Sequence, residues 1–463
     1  MKVSKKTEFI LLIALIIGFL EPIVAFFIGY PYLFCIFSII FFSLIFIVYP
    51  HLFNIKYLLP TSVFIFSYIF VIFTPALFIY YQNRDLSFSS RYMVSTSSVL
   101  IFVPIGILVG NLFFKVSKRE VDLYQKSTIL LENEDRSIKI FFILLSFFSF
   151  LILIYYLKVS PTLPLFEALK NPHNFRFLMQ LREKSLKLLN VPTPFLYIFR
   201  WLPTILFPSI TMISYYIYLI EKTKSWVILF SIFLIVSLFV SALTLARLPV
   251  IFYLLTMGVF FYLMSTNKKI FSYIFISLSA ISSFLLTYIV TIKEIGVYGV
   301  IKGLFLRFFY TPSFTVFQYF EVFPGIHDFL YGRAMKWYCF VFHKDFFNAA
   351  NYVYRIYFPE RLESGLINTC FVGESYANFG SYGVIIEAFI LGLILSFLNY
   401  MIIKVLSFSS KKTIYSVIFQ SILFPMSIII LNSSPITTSL LTWGLIPLIL
   451  LVFLFKRWDN LKV

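Results

Sequence analysis

Three groups of residues have types and spacings suited to chemistry. One is Gly373-Glu374-Ser375-Tyr376-Ala377-Asn378-Phe379-Gly380, a polar segment bounded by glycines that runs straight into an apolar block. A carboxylate placed there suits a general base for a hydroxyl, or a group that orients Arg247; capping of the helix that follows is the structural alternative. The second is Arg247 itself, in Ser241-Ala-Leu-Thr-Leu-Ala-Arg247-Leu-Pro249, at the junction of two apolar blocks. A charge at membrane depth is costly unless it is paired or faces water. The guanidinium therefore either grips a ligand from a tight hairpin or holds two helices together as half of an ion pair. The third is the stretch from Lys158 to Phe195, with Lys158, Lys170, Arg176, Arg182, Lys184 and Lys187 against only Glu167 and Glu183. Arginine presents a planar fork that fits phosphate or pyrophosphate by two parallel hydrogen bonds. Snorkelling to phospholipid headgroups is the alternative for these cations.

What is missing narrows the field. The sequence has no Gly-Lys-Ser/Thr phosphate loop, no His-Glu-x-x-His, no Cys-x-x-Cys and no Gly-x-Ser-x-Gly. No cofactor is expected, no metal site is spelled out, and the chain by itself is not read as an ATP-driven pump.

The elements that must position these residues are membrane helices. Of 463 residues, 60% are hydrophobic and 13% charged, more apolar surface than one soluble core hides. The apolar residues arrive in blocks of about twenty, the length that spans about 30 Å of hydrocarbon. Twelve blocks are expected, at roughly 8–28, 32–49, 58–80, 95–115, 140–157, 196–220, 226–245, 248–264, 270–291, 382–403, 413–431 and 437–455. The first is read as an uncleaved anchor. Threading the blocks alternately puts Lys2, Lys5, Lys6, Lys115, Lys118, Arg119, Lys222, Lys224, Lys268, Lys269, Lys404, Lys411, Lys412, Lys456 and Arg457 in the cytoplasm, along with both termini. The formal charge of +18 is thereby read as positive-inside flanks, and no nucleic-acid partner is called for.

The expected fold class is all-α, a polytopic integral membrane protein with two long external loops. Its parts are residues 1–157 with a solvated cytoplasmic connection at 116–139, an external basic loop at 158–195, helices over 196–290, a large external cap at 291–381, and helices over 382–463. Within the cap, short helices are expected around Ile301 to Phe320 and Lys344 to Ile356. Cys339 and Cys370 share the cap, where a disulfide and two buried thiols are the alternatives.

This external half resembles the Wzy-type O-antigen polymerases, which join oligosaccharide repeat units. The resemblance rests on Thr244-Leu-Ala-Arg247 after the seventh block, on Tyr357-Phe-Pro359-Glu-Arg361, and on Gly373-Glu374-x-Tyr376-x-Asn378-x-Gly380. Where family members place Trp-Pro and Lys-Pro after the second of these, this chain reads Leu-Glu363-Ser-Gly365. The resemblance implies a transferase in the cell membrane that lengthens a surface polysaccharide on the outer face. It would move a growing glycan from one polyprenyl pyrophosphate to the terminal sugar hydroxyl of another lipid-linked repeat unit.

In that scheme Arg247 meets the pyrophosphate, Glu374 or His327 is the base, and Arg176, Arg182, Arg333, Arg361, Tyr376 and Asn378 bind substrate. The partners implied are the polyprenyl-pyrophosphate-linked oligosaccharide, membrane lipid, a flippase and a chain-length regulator. An O-antigen ligase is the nearest rival. A polysaccharide flippase or other transporter, using Glu21 and Glu387 as intramembrane carboxyls, is the rival of another class.

The charge distribution predicts that a reporter fused after Lys187, or within Gly325 to Arg333, registers as external, and one fused after Lys118 or Lys412 as cytoplasmic. A cytoplasmic signal from the Gly325 region would overturn this arrangement.

Overall fold

A computed structural model of the chain describes residues 31–127, 129, 136–170, 181, 189, 191–264, 270–360, 365–408 and 411–460. Among the described residues the fold is all-helical, without a β-strand. The main helices are α1 (Pro31–Val48), α2 (Pro60–Gln82), α3 (Ser89–Phe114), α4 (Arg136–Val159), α5 (Pro194–Glu221), α6 (Lys224–Ala242), α7 (Arg247–Met264) and α8 (Ile270–Phe309). They continue as α9 (Thr311–Val322), α10 (Lys336–Phe342), α11 (Ala349–Tyr357), α12 (Phe371–Val405), α13 (Ile414–Ile429) and α14 (Ile436–Arg457).

Nine of these, α1 to α7 with α12 and α14, are long and apolar enough to cross a membrane, which makes this a polytopic membrane protein. Two apolar helical stretches, Ile270–Leu285 in α8 and the whole of α13, are shorter. The expected block at 8–28, with Glu21, lies outside the described residues.

Several boundaries differ from those read in the sequence, for a common reason. The block expected at 382 begins at Phe371, because the polar segment around Glu374 is already helical and only changes direction at Gly380, where φ is 64°. Only glycine holds that left-handed geometry without strain. The fourth block, expected at 95, starts at Ser89, and Ser97 and Ser98 are buried because their hydroxyls bond to the helix itself, Ser97 to the Met93 carbonyl at 2.7 Å and Ser98 to that of Ser95 at 2.8 Å. Past the expected end of the ninth block, α8 continues to Phe309 after an interruption at Gly296. In the cap, α9 and α11 fall near the two expected helices and α10 is additional.

The helices form two compact units, neither contiguous in sequence. The first comprises the described residues from 31 to Asp122, then Phe305–Met401 and Ser427–Thr438. Its broadest internal pairing is α3 with α12. The two backbones touch: a methyl group on Gly106 would lie 2.2 Å from the Phe389 carbonyl oxygen, and one on Gly392 would lie 2.3 Å from that of Val103. Gly106 and Gly110 stand four residues apart, as do Ala388, Gly392 and Ser396 on the facing helix. This is the small-residue spacing that lets membrane helices pack closely where burial of apolar surface offers no net drive.

Hydrogen bonds between elements then fix the arrangement. The Asn399 amide donates to Thr61 Oγ1 at 2.9 Å, Ser95 to Ser381 at 2.9 Å, and the Tyr68 hydroxyl to the Thr96 carbonyl at 2.9 Å. Tyr92 and Ser313 share a hydroxyl contact of 2.7 Å, which joins α3 to α9.

The second unit comprises the described residues within Leu123–Leu304, Ile402–Met426 and Ser439–Val463. Here α5 packs on α6, with Thr211 and Ser237 sharing a hydroxyl contact of 2.8 Å. Trp201 donates its ring N–H to the Leu441 carbonyl at 2.9 Å.

The α3–α12 contact generates a graded prediction. Gly392→Ala and Gly106→Ala must push backbone from backbone and lower stability by about 1–3 kcal/mol, whereas Gly110→Ala meets only the Ser396 side chain and costs less. Thermal unfolding of the purified protein in detergent measures the order. Wild-type melting of Gly392→Ala would rule out this close approach.

Candidate active site

The first unit gathers Glu374, Tyr376, Asn378, His327 and Arg333 of the expected site. Glu374 lies in the first turn of α12, its N–H donating to the Cys370 carbonyl at 3.3 Å. The side chain as a whole is half-buried, but its Oε2 is shut from solvent and has no hydrogen-bond partner among the described residues. On the far side of the Gly380 bend, Glu387 accepts a hydrogen bond from the Ser375 hydroxyl and is close enough to Glu374 for the two carboxyls to interact electrostatically. Among the described residues no ion pair is formed with either carboxyl. A buried carboxyl oxygen without a donor is expensive, so the site is poised to accept a proton or a hydroxyl.

Aromatic residues of α9 and the following loop cover this turn. The Tyr376 ring stacks on Phe320 with centroids 3.5 Å apart and meets Phe329 edge-on at 5.7 Å. Its hydroxyl lies beside the Arg91 guanidinium but makes no hydrogen bond of normal geometry. Tyr319, on α9, donates to the Ile367 carbonyl at 3.0 Å. Burial, and then the nearby charge of Glu374, push its hydroxyl pKa up, so it stays a neutral donor. Further out, the Tyr357 hydroxyl donates to the Glu321 carboxylate, and burial followed by that contact raises its pKa also.

Asn378 is fully buried, and both ends of its amide are already engaged. Oδ1 accepts the Ala334 N–H at 3.1 Å and Nδ2 donates to the Glu374 carbonyl at 2.9 Å. With Leu330 N–H donating to the Ala377 carbonyl and Tyr331 N–H to that of Asn378, both at 2.9 Å, it clips the 330–334 loop onto the turn that carries Glu374. As found, Asn378 positions the site, and its amide has little capacity left for a sugar.

His327 is half-buried among Phe323, Phe347 and Tyr352, with ring centroids at 5.7, 4.8 and 5.1 Å, and its Nδ1 lies 2.7 Å from the Asp328 carbonyl. Arg333 is exposed, reaching the Asp345 carbonyl at 3.5 Å and covering the Phe347 ring at 5.9 Å. Cys339 and Cys370 are free buried thiols, which decides between the two alternatives. Among the described residues no cluster of His, Cys, Asp or Glu suits a metal ion.

Arg247 belongs to the second unit, as the first residue of α7 and half-buried. The tight hairpin expected around it is present. The chain turns with Leu245 at φ 53°, Leu245 N–H donating to the Ala242 carbonyl at 2.9 Å, and Leu165 N–H bonding the Leu243 carbonyl at 3.2 Å. A cation at a helix N-terminus opposes the helix dipole, so helix stability alone does not favour Arg there. Arg176, Arg182 and Arg361 lie outside the described residues.

Arg91 escaped the sequence reading, and Glu387, read there as an intramembrane carboxyl of a transporter, was not placed beside Ser375 and Glu374. Arg91 opens an apolar block, where an isolated cation reads as a membrane flank, and no spacing rule pairs it with Tyr376. The contact of Glu387 with Ser375 depends on the bend at Gly380 between them, which a straight helix would not supply.

The clip is separable from the chemistry. Asn378→Ala leaves the Ala334 N–H unsatisfied and should cost about 1–3 kcal/mol, visible as a lower melting temperature and faster proteolysis within 330–347. Tyr376→Phe removes a hydroxyl without a bond and should melt like the wild type.

Compared with known proteins, this chain matches no family model, no curated protein and no solved structure.

Proposed function

We propose that the chain is a lipid-linked glycosyltransferase that polymerises oligosaccharide repeat units of a surface polysaccharide at the outer face of the cell membrane. The observation that carries this reading is the buried, unpartnered Oε2 of Glu374 beneath an aromatic cover at the head of a membrane helix. A carboxylate held away from water is a stronger base, and aromatic faces suit sugar rings. The resemblance of the Gly373–Gly380 and Thr244–Arg247 segments to O-antigen polymerases supports the same reading.

In the proposed reaction, the terminal hydroxyl oxygen of the acceptor unit attacks the anomeric carbon of the donor glycan. The bond from that carbon to the pyrophosphate oxygen breaks, the hydroxyl proton passes to Glu374, and polyprenyl pyrophosphate departs with the electron pair. Arg247 is assigned to the pyrophosphate, since a guanidinium offers two-point hydrogen bonding where no metal is called upon. The activated donor already holds the driving force, so no nucleotide takes part. The twelve-span topology, with both termini cytoplasmic and the cap external, is part of this proposal, as are the flippase and chain-length regulator as partners.

The neighbouring carboxyls Glu374 and Glu387 favour a second reading, a proton-coupled polysaccharide transporter. Transport needs two compartments and a pH difference, whereas polymerisation proceeds in detergent.

Purified protein given only polyprenyl-pyrophosphate-linked repeat units should yield ladders of polymer in detergent. A ligase would need a second acceptor, and a transporter would leave the units unjoined. Glu374→Gln should reduce ladder formation by on the order of a hundredfold, and Arg247→Lys should lose most turnover while melting normally. Near-normal turnover per molecule in either variant removes that residue from its assigned role.

A further inference from the structure

Outside the membrane-crossing helices, the first unit exposes an apolar surface that the proposed reaction does not use. In α10, Trp337, Phe340 and Val341 recur at the i, i+3, i+4 spacing of one helix face. They are 50%, 83% and 56% exposed, with Phe342 at 53% beside them. Cys339 turns inward instead, its thiol bonding the Arg333 carbonyl at 3.4 Å, and Tyr338 packs over Gly332. The helix is thus anchored by one side while its aromatic side is uncovered. Soluble surfaces rarely leave so many large apolar groups together.

Three observations identify what covers this face. First, the loop leading into α10 is bonded to the membrane helix itself, through Leu330, Tyr331 and Ala334 to the Ala377 and Asn378 groups of α12. α10 begins two residues after Ala334, so it is held level with the head of that helix. Second, α12 carries an outward stripe of exposed Phe379, Tyr382, Ile386 and Ile390 from that same level downward, the face expected to meet lipid. Third, the charges around α10 are mostly cationic: exposed Arg333, Lys336 and Lys344, against Asp345. Lys336 lies over the Phe346 ring at 5.3 Å. Aromatic residues flanked by cations mark the boundary between acyl chains and phosphate headgroups.

We propose that α10 is an interfacial foot of the cap, seated in the bilayer leaflet at the N-terminal end of α12. Trp337, Phe340 and Val341 enter the acyl boundary, and Arg333, Lys336 and Lys344 meet lipid phosphates. The occupant of the apolar face is the leaflet, not a second protein. This assignment stands apart from the reaction proposed above, since it requires only that α12 crosses the membrane.

The test uses the full chain in vesicles of phosphatidylethanolamine and phosphatidylglycerol, with part of the lipid brominated on its acyl chains near the headgroup. The chain has five tryptophans, and the difference between wild type and Trp337→Phe isolates the emission of Trp337. Bromolipid should quench that emission at least about twofold, as for an interfacial aromatic, while aqueous iodide leaves it nearly unchanged. Phe340→Ser combined with Val341→Ser should weaken the bromolipid quenching of Trp337 and leave the other tryptophans as they were.

Quenching by iodide alone would show a cap standing in water, and quenching by neither would show a face covered by protein; both overturn the proposal. Should Trp337→Phe fail to accumulate, a nitroxide on Phe340→Cys serves instead, because Cys35, Cys339 and Cys370 are all buried. Collisions with oxygen should then exceed those with an aqueous nickel complex, and the reverse order overturns the foot.

Discussion

The backbone contact between α3 and α12 is the constraint on which the first unit depends. In lipid, apolar side chains gain little by leaving their solvent for one another, so helix association rests on close van der Waals fit and a few hydrogen bonds. Gly106 and Gly392 supply the fit by having no side chain at the crossing. The bond from Ser95 to Ser381 then crosses the same pair, and that from Asn399 to Thr61 ties α12 to α2. Because α12 also carries Glu374, Tyr376 and Asn378, the placement of the candidate site follows from that contact.

Polar groups in this unit are used in two ways. Most are spent locally, as where Ser97 and Ser98 satisfy carbonyls of their own helix, and these allow a polar-looking sequence to lie buried at no large cost. A smaller set joins distant segments: Tyr92 with Ser313, Asn378 with Ala334, and Tyr357 with Glu321. Glu374 Oε2 belongs to neither set. Thr369 Oγ1, Tyr376 Oη, Asn399 Oδ1 and Asn432 Oδ1 of the same unit share that condition, and Glu374 differs from them in being a carboxyl, the group whose burial without a donor costs most.

The helical membrane architecture was legible because hydrocarbon thickness imposes a length on every apolar block, and few charges fall inside the blocks. The hairpin at Arg247 was legible for a similar reason, as a short polar break between two such blocks. The true start of α12 was not, since hydropathy fails over Gly373 to Gly380 although the backbone there is helical. Nor was the partner of the Gly106–Gly110 pair, because small residues four apart announce a close approach without naming the helix that makes it. Tyr376 beside Arg91 and Glu387 beside Ser375 depend on tertiary placement and on a bend that no local pattern encodes. Asn378 was assigned to substrate through the family resemblance, and its two internal bonds show that the fold already engages its amide.

The bend at Gly380 has a consequence for how the protein is built. Interrupting a helix releases carbonyls that would otherwise bond one turn onward, and bare carbonyls are not tolerated in hydrocarbon. Those of Ala377 and Asn378 are instead taken up by amides from a loop that lies more than forty residues earlier in the chain. The head of α12 therefore cannot reach its final form as it enters the membrane. It must wait for the preceding cap to fold against it, so insertion of this helix and assembly of the site it carries are one cooperative event.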